Sequence, residues 1–398
     1  VKVYLLLLFI SALVTYVATP AMRYFAFRIG AVAAVRDRDV HLVPTARLGG
    51  VAIFLGLATT IALASRVPFL AAVFQTSGAA WAVIGGAALV CVIGVIDDII
   101  DLDWMAKLAG QVFAAWIVAW GGVQLVSVPI GGLTIASSPL SLTVTMIVVV
   151  VAINAVNFVD GLDGLAAGMM AIGGSAFFLY TYVIQRNASP GDYSSLATLI
   201  LAALVGACLG FLPHNLHPAR IFMGDSGSMV LGLTMASAAI IVTGQIDPGI
   251  VSNRVLLPAF VPILLPIMVV AIPLFDMALA VITRMLRGKS PWAADSHHVH
   301  HRLLAFGHSH RWAVSVLYVW TAVLSFGTVS LVFVRTRYAV LMMAVGLVAA
   351  CMVTFSPRFR GRLARVFEWA GVRTGRHPTQ PRSRLASPGP THGHRRSS

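Results

Sequence analysis

Long runs of apolar residues recur along almost the whole chain, and they leave few ways to fold it. A helix that crosses the hydrocarbon core of a bilayer needs about 20 predominantly apolar residues, and in lipid only a helix or a closed barrel can satisfy its own backbone. Such runs lie near residues 3–22, 49–64, 80–96, 106–121, 140–157, 164–184, 195–212, 227–243, 256–283, 312–334 and 338–355. They predict about eleven transmembrane helices, with ten as the alternative count, since 49–64 and 106–121 are short. Composition agrees: 58% of residues are hydrophobic and 11% charged, against roughly 25% charged in a soluble domain. The expected fold class is all-α, a polytopic transmembrane helical bundle over residues 1–355. Residues 356–398 form a basic tail, rich in Arg, Pro, Ser and Gly and without apolar periodicity, for which disorder is expected. The run 3–22 has only Lys2 before it and no clear small-x-small cleavage site, so it reads as a retained span.

Charge then orients the bundle. With loops alternating between sides, one side collects 22 of the 28 Lys and Arg and the other collects 6. The positive-inside rule puts the richer side, with the tail, in the cytoplasm and the N-terminus outside. The net charge of +14 would suggest nucleic acid in a soluble protein. Here the arginines flank apolar spans and no aromatic-and-basic motif accompanies them, so anionic membrane lipids are the expected partner and nucleic acid is not. Cys91, Cys208 and Cys351 all sit inside apolar runs, which excludes a disulfide framework or a zinc site. Most acidic residues fall on the cytoplasmic side, at Asp97, Asp98, Asp101, Asp103, Asp160, Asp163, Asp225 and Asp295. A carrier would place ionisable groups along a midplane path, so a site at one mouth points to an enzyme.

Four constellations carry the chemistry. Asp97-Asp98-Ile-Ile-Asp101, followed by Lys107, closes a long apolar run. Adjacent carboxylates repel unless a cation lies between them, and hard oxygen ligands suit Mg²⁺; a polar cap that stops the helix is an equal reading. In Asn154-Ala-Val-Asn157-Phe-Val-Asp160-Gly-Leu-Asp163-Gly164 the glycines permit a tight turn, and the next helix N-terminus could face an anion. Asn215, Arg220 and Phe222-Met-Gly-Asp225-Ser-Gly-Ser follow, with Asp225 either a helix N-cap or part of a metal or nucleotide site. The fourth is Asp295-Ser-His297-His298-Val-His300-His301-Arg302, which suits a developing diphosphate better than zinc, because no further ligands close a tetrahedral set. Asp276, inside an apolar run above Arg284, reads equally as functional or as a structural pairing.

These motifs, in this order, resemble those of the polyprenyl-phosphate N-acetylhexosamine-1-phosphate transferases, over about residues 20–355. The resemblance implies attack of a polyprenyl phosphate on the β-phosphate of a UDP-sugar, releasing UMP, with Mg²⁺ (or Mn²⁺) required. It implies Asp225 and Asn157 as metal ligands and Asp97, Asp98, Asp160 and Lys107 as catalytic residues. Of these, Asp97 and Asp98 would orient or deprotonate the lipid phosphate, Lys107 would steady a phosphate, and Asp160 would support the metal or the lysine. Phe222 would stack on uracil, Asp163 would accept from its N–H, Asn215 would line the nucleotide site, and His298, His300, His301 and Arg302 would hold the diphosphate and sugar.

The spaced His-x-His-His resembles the WecA-type branch, so UDP-GlcNAc is expected as donor. UDP-MurNAc-pentapeptide or another UDP-sugar is the alternative. The Ala-, Val- and Arg-rich composition suggests decaprenyl phosphate as carrier, with undecaprenyl phosphate the other candidate, in a bacterial plasma membrane. A nucleotide-sugar or lipid-linked sugar transporter is the rival of another class, a catalytically dead scaffold a third. The sequence leaves the oligomeric state open, a homodimer included.

Overall fold

The computed structural model describes residues 1–33, 44–75, 78–125, 138–188, 195–244, 261–286, 303 and 309–355. Helix α1 (Lys2–Ile29) opens the chain and stops at Gly30, whose φ of +77° is a left-handed conformation that glycine adopts without strain. There follow α2 (Gly49–Ala64), a 3₁₀ turn (Pro68–Leu70), α3 (Ala71–Gln75), α4 (Ala79–Ile100) and α5 (Trp104–Trp120). Next come α6 (Ser138–Val159), α7 (Leu165–Ala188), α8 (Leu196–Asn215), α9 (Gly224–Gly244), α10 (Val261–Val269), α11 (Ala271–Leu286), α12 (His310–Phe333) and α13 (Thr336–Phe355). Val1–Cys351 forms one compact unit.

Eight of these helices are long and apolar enough to cross a membrane, or up to ten if each bent helix pair counts as one span. The chain is thus a polytopic helical membrane protein. The window 49–64 is the single unbroken helix α2, with a bend just beyond it, whereas the window 256–283 is broken within. The chain bends by 93° between α2 and the 3₁₀ turn with α3, after Ser65. It bends by 63° between α10 and α11, where Pro273 cannot donate to the carbonyl four residues back. The expectation of an all-α chain also needs one small correction. Val32–Ala33 pairs antiparallel with Thr45–Ala46, and Ala46 bridges in parallel to Ile221. These strands strap the segment before α2 to the one before α9, so that backbone groups outside any helix still find partners.

The core is built around α8 and α9, which are buried along most of their length, whereas α1 and α13 leave most of their apolar side chains facing outward, as lipid-facing helices should. Close packing here depends on small residues rather than on water exclusion. Gly206 and Gly210 of α8 sit against the α1 backbone at Leu8 and Ala12, and Ser11 of α1 donates to the Ala203 carbonyl at 2.6 Å. The same device builds the floor of the site. A Cβ on Gly50 would run into the backbone nitrogen of Gly227, and one on Gly94 into Ser226. The starts of α2 and α9 and the last turns of α4 are thereby brought into backbone contact.

Candidate active site

The acidic end of α4 meets the start of α9. Asp98 accepts from the backbone N–H of Asp225 at 3.2 Å and of Ser226 at 3.4 Å, and from the Ser226 hydroxyl at 3.3 Å. It therefore caps α9 from another helix. Asp225, one of whose sequence readings is the N-cap itself, instead lies in the first helical turn, because α9 begins a residue earlier at Gly224. Gly224 has a φ of +68° and packs against the Arg47 carbonyl and the Asp98 carboxylate, which leaves no room for a side chain.

With its backbone so held, Asp225 points its carboxylate at two partners. Asn157 Nδ2, on the last turn of α6, donates to Oδ1 at 3.0 Å and to Ser228 Oγ at 2.9 Å. The Lys107 ammonium, from the first turn of α5, pairs with Oδ2 and lies 3.2 Å from Asp97 Oδ2. Asp97 is itself fixed by the Leu102 N–H at 3.0 Å, and Asp103 caps α5 through the Met105 N–H at 3.0 Å. One cation thus stands between two carboxylates from different helices. One turn deeper, the buried Gln111 accepts from Asn154 at 2.7 Å. Because Gln111 follows Lys107 by a turn and Asn154 precedes Asn157 by a turn, this bond locks α5 and α6 in register.

Asp160, just beyond α6, has its carboxyl pushed up to about 7 by burial foremost and then by the negative charges of Asp98 and Asp163. The oxygen donors Asp97, Asp98, Asp160, Asp225 and Asn157, with no sulfur or imidazole among them, fit a hard divalent cation such as Mg²⁺.

The second half of the site surrounds the turn after Asp160. Asp163 has a 1% exposed side chain, whose Oδ2 lies 2.7 Å from His217 Nδ1 and accepts from the Ala219 N–H at 3.1 Å. The Asp163 N–H donates to His310 Nε2 at 3.1 Å, the Gly164 N–H to Asn215 Oδ1 at 3.0 Å, and the Leu165 N–H to the Leu162 carbonyl at 3.0 Å. The start of α7 reads as an anion site from sequence; the Asp163, Gly164 and Leu165 N–H groups that lead into it are bonded within the protein. Asn215 is buried and also donates to the Ile221 carbonyl at 2.9 Å. Asp163 and Asn215, expected to contact the nucleotide, make hydrogen bonds that hold the neighbouring loop segments. Phe222 is half-buried, its backbone gripped by Ala46 and Gly49 at 2.7 and 3.0 Å.

Asp163, His217 and His310 have ligand-type atoms within 4.8 Å of one another. Their geometry is that of a hydrogen-bonded cluster, since the His310 Nε2 lone pair already receives a backbone N–H. His217, His310, Arg311 and Tyr318 escaped the sequence reading because none belongs to a motif. The doublet His310-Arg311 at the head of an apolar run was the available signal. Asp276 and Arg284 are both buried on α11, and the Arg284 guanidinium lies 5.5 Å from the Phe158 ring, beside Asn157. His298, His300, His301 and Arg302, and the basic tail, lie outside the described residues.

The family profile for glycosyl transferase family 4 matches residues 80–243, which run from α4 to α9 and hold the carboxylates, Lys107 and Asn157. The decaprenyl-phosphate N-acetylglucosaminephosphotransferase of Mycolicibacterium smegmatis is 41% identical over 354 residues, covering 88% of this chain and 87% of its own. Its counterpart from Mycobacterium tuberculosis is 40% identical over 354 residues, covering 88% of each chain. A phospho-N-acetylmuramoyl-pentapeptide-transferase from Mycobacterium leprae is 35% identical over a shorter stretch, 49% of this chain and 63% of its own. The long relatives and the profile together place this chain in glycosyl transferase family 4, on the branch of the two mycobacterial N-acetylglucosaminephosphotransferases.

Proposed function

We propose that this chain transfers GlcNAc-1-phosphate from UDP-GlcNAc to a polyprenyl phosphate, giving polyprenyl-diphosphate-GlcNAc and UMP. The observation that carries the reading is the Lys107 ammonium held between Asp97 and Asp225, within the stretch the family profile matches, in a chain similar over most of its length to relatives named for this reaction. Decaprenyl phosphate is the favoured carrier because those relatives are named as decaprenyl-phosphate transferases. The reaction fits the first membrane step of cell-wall or surface polysaccharide synthesis in a bacterial plasma membrane. The excess of Lys and Arg on one side supports a site that faces the cytoplasm, where nucleotide sugars are made.

Phosphoryl transfer needs positioning and charge neutralisation more than covalent help. The lipid phosphate is already largely ionised at neutral pH, so its oxygen attacks the β-phosphorus of UDP-GlcNAc without a strong base. The bond from that phosphorus to the UMP oxygen breaks, and UMP leaves with the electron pair. Lys107 neutralises an incoming phosphate, and Asp97 keeps the ammonium aimed. Asp98 holds the start of α9 so that Asp225 stays in place. Asp225 and Asn157 would hold Mg²⁺, with Asp160 in support; when bound, the ion supplies charge neutralisation at the diphosphate. Phe222 offers a ring face to the uracil, and the Asp163 turn forms the adjoining wall. His298, His300, His301 and Arg302 are assigned to the diphosphate and sugar.

The test is UMP release by the purified chain with a polyprenyl phosphate and Mg²⁺. UDP-GlcNAc and UDP-MurNAc-pentapeptide are compared, with EDTA as control. Release from UDP-GlcNAc alone, abolished by EDTA, is expected. Release only from the pentapeptide overturns the donor, and none from either brings the transporter reading forward.

A further inference from the structure

At the head of α12, outside the stretch matched by the family profile, polar side chains converge on loops of the site. The His310 ring stacks on the His217 ring with centroids 4.3 Å apart and planes 21° apart. His310 Nε2 accepts the Asp163 N–H at 3.1 Å, and Arg311 donates to the His217 carbonyl at 3.1 Å. Two turns further on, the Tyr318 hydroxyl donates to the Gly164 carbonyl. Room for that ring exists because Gly168 has no side chain. The head of α12 is itself fixed by Ser309, which accepts from the Trp312 N–H at 3.4 Å.

We infer that His310 and Arg311, acting with His217, are positioning residues that latch the Asp163–Gly164 turn to the segment from Asn215 to Phe222 and so set the nucleotide end of the site. This rests on the transferase reading above. The physical case is one of cost. A turn between two helices has N–H groups with no helical partner, and a buried one left unpaired is expensive. His310 supplies an acceptor where the backbone has none. Because Nε2 accepts, the neutral ring carries its proton on Nδ1, so the bond also selects the tautomer. Arg311 and the stacked His217 then tie the same turn to the loop before α9. An apolar pair would fill this space but would leave the Asp163 N–H and the His217 carbonyl without these partners. Both segments being tied lead into residues assigned to the site: Asp160, in support of the metal, precedes the turn, and Phe222, assigned to the uracil, follows His217. The lipid-phosphate side, at Lys107 and Asp97, makes no contact with the latch among the described residues. Its loss should therefore be felt by one substrate.

The experiment compares the full-length chain with His310→Ala, His310→Gln, Arg311→Ala and Arg311→Lys. KM and kcat are measured separately for UDP-GlcNAc and polyprenyl phosphate, and amide hydrogen exchange is followed over residues 160–168. His310→Ala should raise KM for UDP-GlcNAc about tenfold while kcat and the polyprenyl-phosphate KM stay within about twofold, and should speed exchange in the turn. His310→Gln, whose Oε1 can accept the same N–H, should recover most of both effects. Arg311→Ala should behave as a milder His310→Ala, with partial recovery in Arg311→Lys, and it carries the test if His310→Ala does not fold. The latch is overturned if exchange in the turn is unchanged, if both KM values rise together, or if Gln is no better than Ala. The exchange comparison needs no substrate. A wild-type chain that releases no UMP would therefore sink the transferase reading while the exchange data still decide the latch.

Discussion

Lys107 and Asp225 form an ion pair across the site, with Asp97 on the other side of the same ammonium at 3.2 Å. The pairing joins the first turn of α5 to the first turn of α9. It also places a fixed positive charge beside the carboxylate assigned to the metal.

Replacing Asp225 by Ala should therefore abolish UMP release, a fall of at least about a thousandfold, without unfolding the protein. Lys107→Met should lose activity as well, but tighten the hold on a divalent cation, since the competing ammonium is gone. Mg²⁺ titration of both variants, read by thermal stabilisation in detergent, checks this. Wild-type turnover in Asp225→Ala at saturating Mg²⁺ would sink the metal assignment.

Asp98 has a structural task separable from its charge. As an interhelical cap of α9 it accepts backbone N–H groups, which an Asn side chain can still do. Asp98→Ala should cost about 1 kcal/mol of stability, and Asp98→Asn less than about half of that. Both should depress turnover because both remove a negative charge beside the site. Equal destabilisation in unfolding measurements would contradict the cap.

Gly50→Ala tests the floor of the site. Its added methyl would meet the Gly227 backbone, which cannot yield as a flexible side chain could. A loss of about 1–3 kcal/mol is expected, the range of overpacked cores. Gly78→Ala, where a methyl meets nothing within 4 Å, serves as the control and should be near neutral in the same melting assay.

Asp160 makes cation binding depend on pH. Its carboxyl titrates near 7 in the folded protein against 3.8 ordinarily, because burial and the neighbouring carboxylates oppose ionisation. The folded state thus holds this proton more tightly than the unfolded one. In the ligand-free protein the group destabilises the fold progressively as pH rises from about 3.8 to about 7, and fully above that. A divalent cation paired with ionised Asp160 relieves that cost. The rise in melting temperature on adding Mg²⁺ should therefore grow between about pH 6 and about pH 8, and Asp160→Asn should flatten it. A Mg²⁺ effect that is level across this window in the wild type would count against Asp160 as a supporting ligand.

The sequence by itself determined the membrane class and which polar residues stand at the ends of its spans. Apolar runs of span length announce helices wherever they occur, because the bilayer imposes one length and one backbone solution on every crossing. Asp97, Asp98, Asn157 and Asp225 could be named as candidates because they lie in motifs at the ends of such runs that resemble the family's, although a helix cap read equally well for the residues alone. What each does depended on contacts between distant parts of the chain. That Asp98 caps α9 rests on a bond spanning 127 residues, and that His310 holds the Asp163 turn on one spanning 147. No local pattern encodes such a pairing. Nor could periodicity show that Asp163 and Asn215 turn inward to brace loops, since a buried polar side chain and one facing a ligand look alike until their hydrogen-bond partners are known. The bilayer set the elements through properties each segment carries alone; the site arose only when packing through Gly50, Gly94 and Gly227 brought the ends of α2, α4 and α9 together.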